Sequence, residues 1–573
     1  MRVLFLRPSQ EGFFHTVERN FPIGMLYIAQ QCIVNGHEIK VFDSLVEGAQ
    51  PYEIPVEQLS ELQKARIRQH PIFSSMLHYG ATDERILAEI GAFNPQVIAI
   101  SIMFSSFYDT AYRIAKLIKK HNPNIIIVTG GAHVSMQYQH VLDNYSVDFV
   151  LLGEGEVTLP QLMDAISANE NPRNIPGVGF RTFQNANAKT YFGEDIYINS
   201  CKEYISELDK YVPAVDKIDC TKYNGAATII TSRGCPYNCS FCAVKHTMGK
   251  EYRVRSVGSV LAELDRYQTR YGISKLFIED DNFTFDTERT KSLLKRIVDR
   301  QLKVNLFLLN GVSAIGFDDE LVELFSKSGV KKLFVGLETT DDDARWQIAK
   351  AHISLAAIKS VVRKLETYNI CAGVSLIIGL PHQWLANVVD DIVCLLKMDI
   401  PILAINPLYP LPGTEIYNEC INLGLLKKNL DFTFLGGDNF VISPNDISGK
   451  DLYYIWIFVR AIAHWGIKGR DLYQDRKIAN IKNKFERSCE LNKIEILEGK
   501  IQLTYTRERF EQVYHIISPN HQLERDMLSA IMYIFTRDYY VFCVESDSEQ
   551  ICFKGVTSTE IAPPSWALIL NDF

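Results

Sequence analysis

The sequence predicts an α/β chain: a Rossmann-like, doubly wound parallel sheet, then six further strand–helix units, then a mixed, mostly helical C-terminal domain. Three observations carry this prediction. Short apolar runs alternate with segments of helical spacing from Val3 to Leu152, and the alternation resumes from Ala227 to Ile405. It is lost beyond about Lys427. With 573 residues, 47% of them hydrophobic, the chain has enough apolar material for about three to four domains with real cores.

In the first run, Val3–Leu6 (VLFL) reads as a strand, and Gly24–Asn35 as a helix with Met25, Ile28, Ala29, Cys32 and Ile33 on one face and a stop at Gly36. Strands follow at Glu38–Phe42, Val97–Ile100, Ile125–Val128 and Phe149–Leu152, with helices at Tyr108–Lys120 and near His140. Ligands of such a sheet bind beyond the carboxyl ends of its strands. The loops expected there are Pro22-Ile23-Gly24, Ser101-Ile102-Met103-Phe104-Ser105, Thr129-Gly130-Gly131-Ala132-His133 and Gly153-Glu154-Gly155-Glu156. Glycine there permits close backbone approach to a bulky ligand and serine offers a small donor, although tight turns in any such sheet also use glycine.

The second run begins with the strand Ala227–Thr231 and continues with the helix Val257–Tyr271 and the strand Lys275–Ile278, ending in Glu279-Asp280-Asp281-Asn282. Next come a helix near Lys291–Asp299, the strand Asn305–Leu309 with Asn310-Gly311 at its end, the helix Asp319–Ser328 and the strand Lys332–Val335, ending Gly336-Leu337-Glu338. The helix Leu355–Tyr368, the strand Gly373–Ile378 with Gly379, a helix after Ala386 and the strand Ile402–Ile405 complete six units. Asp280 and Asp281 have a rival reading as caps of the next helix. Tyr409 and Thr414 either face a substrate or shape the proline-rich turn around them.

A net charge of −8 gives no basic footprint, which argues against nucleic acid as the primary partner. Nine of the twelve cysteines are scattered, the pattern of a reduced compartment. The N-terminal MRVLFLRPSQ is too short for a signal-peptide core, and no apolar stretch reaches the ~18 residues that span a bilayer, since Leu452–Ile467 is broken by Arg460 and His464. A cytoplasmic protein is expected.

The other three cysteines lie together in TSRGCPYNCSFC as Cys235-x-x-x-Cys239-x-x-Cys242. Thiolates this close on a short loop can jointly hold one soft metal group, either an iron–sulfur cluster or, with His246 as fourth ligand, a zinc ion. Gly234 and Pro236 flank the first cysteine, and Phe241 stands just before the third. The loop resembles that of the radical S-adenosylmethionine (SAM) enzymes. The resemblance implies a [4Fe-4S] cluster on Cys235, Cys239 and Cys242 whose fourth iron chelates SAM, and one electron then yields a 5'-deoxyadenosyl radical. It also implies that the six units form the family's partial (β/α)6 barrel, in which Phe241, Asn282, Asn310, Glu338, Ser375 and Gly379 contact SAM.

Set ahead of such a loop, the first run resembles the cobalamin-binding domain of cobalamin-dependent radical SAM enzymes. The implied cobalamin contacts are Pro22, Gly24, Ser101, Met103, Phe104, Ser105, Thr129, Gly130, Gly131, Gly153, Glu154 and Gly155. The Asp-x-His-x-x-Gly signature of a histidine beneath cobalt is missing, so His15 and His133 are read as surface or packing residues. The resulting domains are a cobalamin-binding domain at 1–185, a linker at 186–225, the barrel at 226–426 and a C-terminal domain at 427–573, which either caps the barrel mouth over the substrate or is a packing element. Its helices are expected at Leu452–His464 and Asp475–Ser488, followed by a mixed region with Arg507, Arg509, Tyr514, His515 and Tyr539-Tyr540.

The function implied is methylation of an unactivated carbon of a small molecule through the adenosyl radical and methylcobalamin. A cyclisation, ring contraction or other rearrangement without methyl transfer is the alternative, and a non-catalytic iron–sulfur or cobalamin carrier is the alternative of another class. No second cluster motif or flavin fingerprint is visible, so electrons are expected from a flavodoxin- or ferredoxin-type donor. Tyr409 is the one side chain near the expected barrel rim singled out as a catalytic candidate.

Overall fold

The computed structural model describes residues 1–13, 20–48, 51–69, 75–182, 195–200, 202, 204–350, 354–398, 400, 402–427, 430–436, 439–449, 451–452, 455–456, 495–497, 500–506, 540–546 and 550–557. The chain divides into two compact units: Met1–Leu333 with Lys364–Cys371 and Tyr409–Val441, and Phe334–Arg363 with Ala372–Leu408 and Ile442–Phe573.

Apolar runs drive the first sheet. Every residue of Val3–Leu6 is buried, as befits a parallel strand covered on both faces, and each such side chain contributes about 1.5–3 kcal/mol. The strands are β1 (Arg2–Arg7), β2 (Glu38–Asp43), β3 (Val97–Ser101), β4 (Ile126–Gly130), β5 (Phe149–Leu151), β6 (Val178–Thr182) and β7 (Asp195–Ile198). Spatially they run β2-β1-β3-β4-β5-β6-β7, parallel as far as β5 and antiparallel thereafter. The parallel part has the 2-1-3-4-5 order whose ligand crevice opens beside β1 and β3. The helices are α1 (Ile23–Val34), α2 (Asp83–Phe93), α3 (Tyr108–His121), α4 (Ala132–Leu142) and α5 (Gly155–Ala168). Helix α3 buries Ala111, Ile114, Ala115 and Ile118 against Leu4, Ile98, Ile100 and Ile127 in one core.

Strands β6 and β7 were not expected, and the supposed linker supplies β7. Gly24 lies in the first turn of α1 in open space, Thr129 and Gly130 end a strand, and Gly155 begins a helix, so these residues are not loop residues.

The second sheet holds β8 (Ala226–Ile229), β9 (Lys275–Ile278), β10 (Asn305–Val312), β11 (Val330–Glu338), β12 (Cys371–Ile378) and β13 (Ile402–Pro407) in chain order. In the first unit, β8, β9 and β10 pair in parallel, joined through α6 (Val257–Tyr271) and α7 (Thr287–Asp299), with α8 (Asp319–Lys327) next. Each helix starts on a side-chain cap: Ser256 accepts from Ser259 N, Asp286 from Arg289 N and Asp318 from Leu321 N, worth about 1 kcal/mol apiece. In the second unit, β12 and β13 pair in parallel with a bulge at Val374/Ser375, beside α9 (Leu355–Thr367) and α10 (Leu385–Lys397). Beyond residue 456 the described residues are all strand: β14 (Glu495–Leu497), β15 (Lys500–Thr506), β16 (Tyr540–Ser546) and β17 (Gln550–Thr557) form an antiparallel sheet in the order β14-β15-β17-β16. The helix expected from Leu452 is described only at its first residues, and the one at 475–488, with Arg507, Arg509, Tyr514, His515 and Tyr539, lies outside the described residues, as does His15.

Candidate active site

The loop bearing Cys235, Cys239 and Cys242 hangs from two short stems, Ser232–Arg233 and Arg253–Val254, paired antiparallel. Gly234 takes φ +82°, and a Cβ there would stand 2.2 Å from the Glu251 carbonyl oxygen, so only glycine fits. Its N–H donates to Asp281 Oδ2 at 2.8 Å. Buried Asp280 accepts from Thr231 N, Thr231 Oγ1 and Ser232 Oγ at 2.5–2.6 Å. These two acids follow β9, but the cap of α7 is Asp286; they instead hold the backbone that leads into Cys235. Burial pushes Asp281 up to about 6.

Cys239 is buried, and Cys235 and Cys242 are partly so. None of the three is in a disulfide. Burial pushes Cys242 up to about 11, so a thiolate there needs a neighbouring cation, which iron supplies. Among the described residues no three His, Cys, Asp or Glu side chains are arranged to hold a single metal ion. Asn282 is buried with Nδ2 4.0 Å from Cys235 Sγ and Oδ1 lacking a hydrogen-bond partner. A buried amide oxygen without a partner costs about 1–3 kcal/mol. The three thiols and this amide fit an iron–sulfur cluster with a polar ligand beside it. Phe241 is half-buried next to Cys242, whereas Asn310 is exposed within β10 rather than in a loop.

In the second unit, buried Glu338 ends β11 with φ +73°, a conformation that costs a non-glycine residue of order 1–3 kcal/mol. Its Oε1 lies 2.5 Å from Lys350 Nζ and its Oε2 accepts from Ser375 Oγ at 3.3 Å. The next turn is held by Asp391, which accepts from Thr339 Oγ1, Thr340 N and Thr340 Oγ1 at 2.6–3.0 Å. Gly379, at φ +85°, donates its N–H to Gln383 Oε1 at 2.8 Å.

At the carboxyl ends of the first sheet, Gly131 takes φ +117°, and a Cβ there would lie 2.6 Å from the Ile102 carbonyl oxygen. Met103 and Phe104 stand 49% and 61% exposed on the adjoining loop, apolar surface suited to the flat face of a macrocycle. Ser105 Oγ meets His133 Nδ1 at 3.0 Å. His133 is buried and stacked on Tyr108, and burial pulls it down to about 3, so it is a neutral packing residue. Several expected cobalamin contacts are engaged elsewhere. Thr129 Oγ1 donates to the Phe149 carbonyl, and Gly155 packs on Ile28. Both oxygens of Glu154 are taken by Arg233, Arg253 and Ile205 N. Pro22 is the buried residue before α1, Ser101 ends β3, and Gly153, at φ +75°, donates to Ser135 Oγ. Tyr409 is half-buried, with its hydroxyl out of solvent. Thr414 is a turn residue: it caps the helix Glu415–Asn422 and donates to the Leu411 carbonyl.

Sequence reasoning missed Arg233, Arg253 and Lys350 and named Glu156 only as a loop residue; the arginines' roles depend on Glu154, 79 and 99 residues away. The one available signal was an arginine directly before the cysteine-loop glycine.

The chain matches the Radical SAM superfamily model over residues 229–392 and the B12 binding domain model over residues 62–163. It is therefore a radical SAM enzyme that carries a B12-binding domain. It is 26% identical to cytidylyl-2-hydroxyethylphosphonate methyltransferase of Streptomyces wedmorensis, over 66% of this chain and 73% of that one. To the hopanoid C-3 methylase of Methylococcus capsulatus it is 24% identical, over 73% and 72% of the two chains. It shares the fold of the cobalamin-dependent SAM radical enzyme OxsB, solved with aqua-cobalamin bound, at a TM-score of 0.61 and 14% identity over 94% of this chain and 73% of that one.

Proposed function

We propose that this protein is a cobalamin-dependent radical SAM methyltransferase that methylates an unactivated carbon of a small molecule. The observation that carries the reading is that the thiol loop and the B12-binding sheet belong to one compact unit and are joined by buried ion pairs. The similarity to methyltransferases supports the methyl-transfer outcome. When bound, the cluster, SAM and cobalamin supply radical hydrogen abstraction and a methyl group that can be delivered homolytically.

The chain's own residues bind, orient and shield. Cys235, Cys239 and Cys242 hold the iron, while Asp280, Asp281 and Gly234 fix the loop so that the sulfurs keep their places. Asn282, with its side-chain oxygen unpaired, is assigned to a polar group of SAM, together with Phe241. Gly131 lets backbone approach cobalamin, and Met103 and Phe104 cover it against water. Electrons come from an external flavodoxin- or ferredoxin-type donor in a reducing cytoplasm.

The test is to incubate the loaded, reduced protein with SAM and quantify two products together. Methyl transfer predicts both S-adenosylhomocysteine and 5'-deoxyadenosine. Deoxyadenosine alone would overturn it in favour of a rearrangement, and neither product would mean a carrier.

A further inference from the structure

Four charges are buried together in the first unit. Glu154 Oε1 accepts from Arg233 Nη1 at 2.9 Å, and Glu154 Oε2 accepts from Arg253 Nη1 at 2.7 Å and from Ile205 N at 2.6 Å. Arg233 Nη2 lies 2.7 Å from Glu156 Oε1. Arg253 also donates to the carbonyls of Ile205 and Met248 at 2.7 Å. The Arg233 guanidinium sits 5.1 Å from the centre of the Tyr27 ring of α1. Burial alone would pull Arg233 down, but the two carboxylates more than offset it and hold it firmly charged.

The placement of these charges is informative. Arg233 and Arg253 are register partners across the two stems of the loop, and all three cluster cysteines lie between them. Glu154 follows the end of β5 and grips both stems at once. Its own backbone has little freedom, because Gly153 is tied to Ser135 Oγ and a Cβ on Gly155 would stand 2.8 Å from Ile28 Cδ1. Next to Arg233, Gly234 is tied through its N–H to Asp281 Oδ2 at 2.8 Å. Any displacement of Arg233 therefore displaces Cys235.

Buried ion pairs seldom stabilise more than apolar residues of the same volume, so stability alone does not account for three of them. Geometry does, because a planar guanidinium gripped by two carboxylates tolerates little rotation or sliding.

We propose that Glu154, Glu156, Arg233 and Arg253 form a positioning device that fixes the cluster loop against the B12-binding sheet and thereby sets the separation of the two cofactors. This rests on the reading that both bind. Arg233 and Glu154 are its central members, and neither touches a cofactor.

The experiment is pulsed dipolar electron paramagnetic resonance on the full chain, loaded with cluster and cobalamin and poised with the reduced cluster and Co(II) both paramagnetic. The wild type should give one narrow distance distribution. Arg233→Met and Glu154→Gln should keep their iron and cobalamin yet broaden the distribution at least twofold. Arg233→Lys keeps the charge but loses the fork, and should fall between. Should these variants fail to fold, the quadruple apolar replacement Glu154→Leu/Glu156→Leu/Arg233→Leu/Arg253→Leu removes the buried charges together and is read in the same way. Loaded variants with the wild-type distribution would overturn the proposal. A wild type that takes up only one cofactor would instead overturn the functional reading beneath it.

Discussion

Gly234 shows how much one residue constrains the site. Its positive φ and the 2.2 Å approach of a Cβ to Glu251 O leave no L-residue conformation that fits, while its N–H is committed to Asp281. Gly234→Ala should therefore cost about 1–3 kcal/mol from conformation alone, with the clash added, and should displace Cys235. The expected result is a lower melting temperature and loss of most bound iron, measured by thermal unfolding and iron assay, with cobalamin retained. At this scale the cysteines were legible, because three thiols at short spacing permit few other uses. Asp280 and Asp281 were not, since adjacent acids after a strand look the same whether they cap a helix or brace a loop. The ion pairs of Glu154 were not legible either, since its two arginine partners are 79 and 99 residues away.

Among the elements, the loops after β3 and β4 carry the proposed cobalamin contacts. Gly131→Ala would drive a Cβ into the Ile102 carbonyl and push away the Met103–Phe104 loop. Cobalamin retained after desalting should fall about tenfold or more, with iron content unchanged, as read from the visible spectrum and an iron assay. Helix α3 carries a titrating group in its first turn. Desolvation raises Asp109 from the ordinary 3.8 to about 6, against the pull of Arg66. The folded state thus holds this proton to higher pH than the unfolded chain does. Stability from this group is full below about pH 4 and is lost as pH rises through about 6, by at most ~1.4 kcal/mol per pH unit. Asp109→Asn should remove that decline and raise the urea midpoint above pH 6, with little change at pH 4. Strand and helix order was largely legible from apolar periodicity over the first 407 residues, with α2, α5, β6 and β7 missed. Strand ends were not, because Thr129, Gly130, Asn310 and Asn406 look like loop residues but continue the hydrogen-bonded ladder.

For the molecule as a whole, the first compact unit contains the B12-binding sheet, the thiol loop and the first strands of the second sheet, and the second contains Glu338 and Ser375. Among the described residues no helix is long and apolar enough to cross a membrane. The order of the two large α/β regions could be read from composition and period. The antiparallel sheet at 495–557 was missed because short runs such as Val541–Val544 carry no period that separates strand from helix. Edge strand β7 is only four residues long, and its partner β6 was not predicted.

The central claim is that one chain houses both a three-thiol cluster and cobalamin. It is tested most directly by loading the full chain anaerobically with iron, sulfide and hydroxocobalamin, then measuring iron and cobalamin after desalting, with Cys239→Ala in parallel. The account predicts about four irons and one cobalamin per chain, and cobalamin alone in the variant. Four irons without cobalamin, or iron retained in Cys239→Ala, would contradict it.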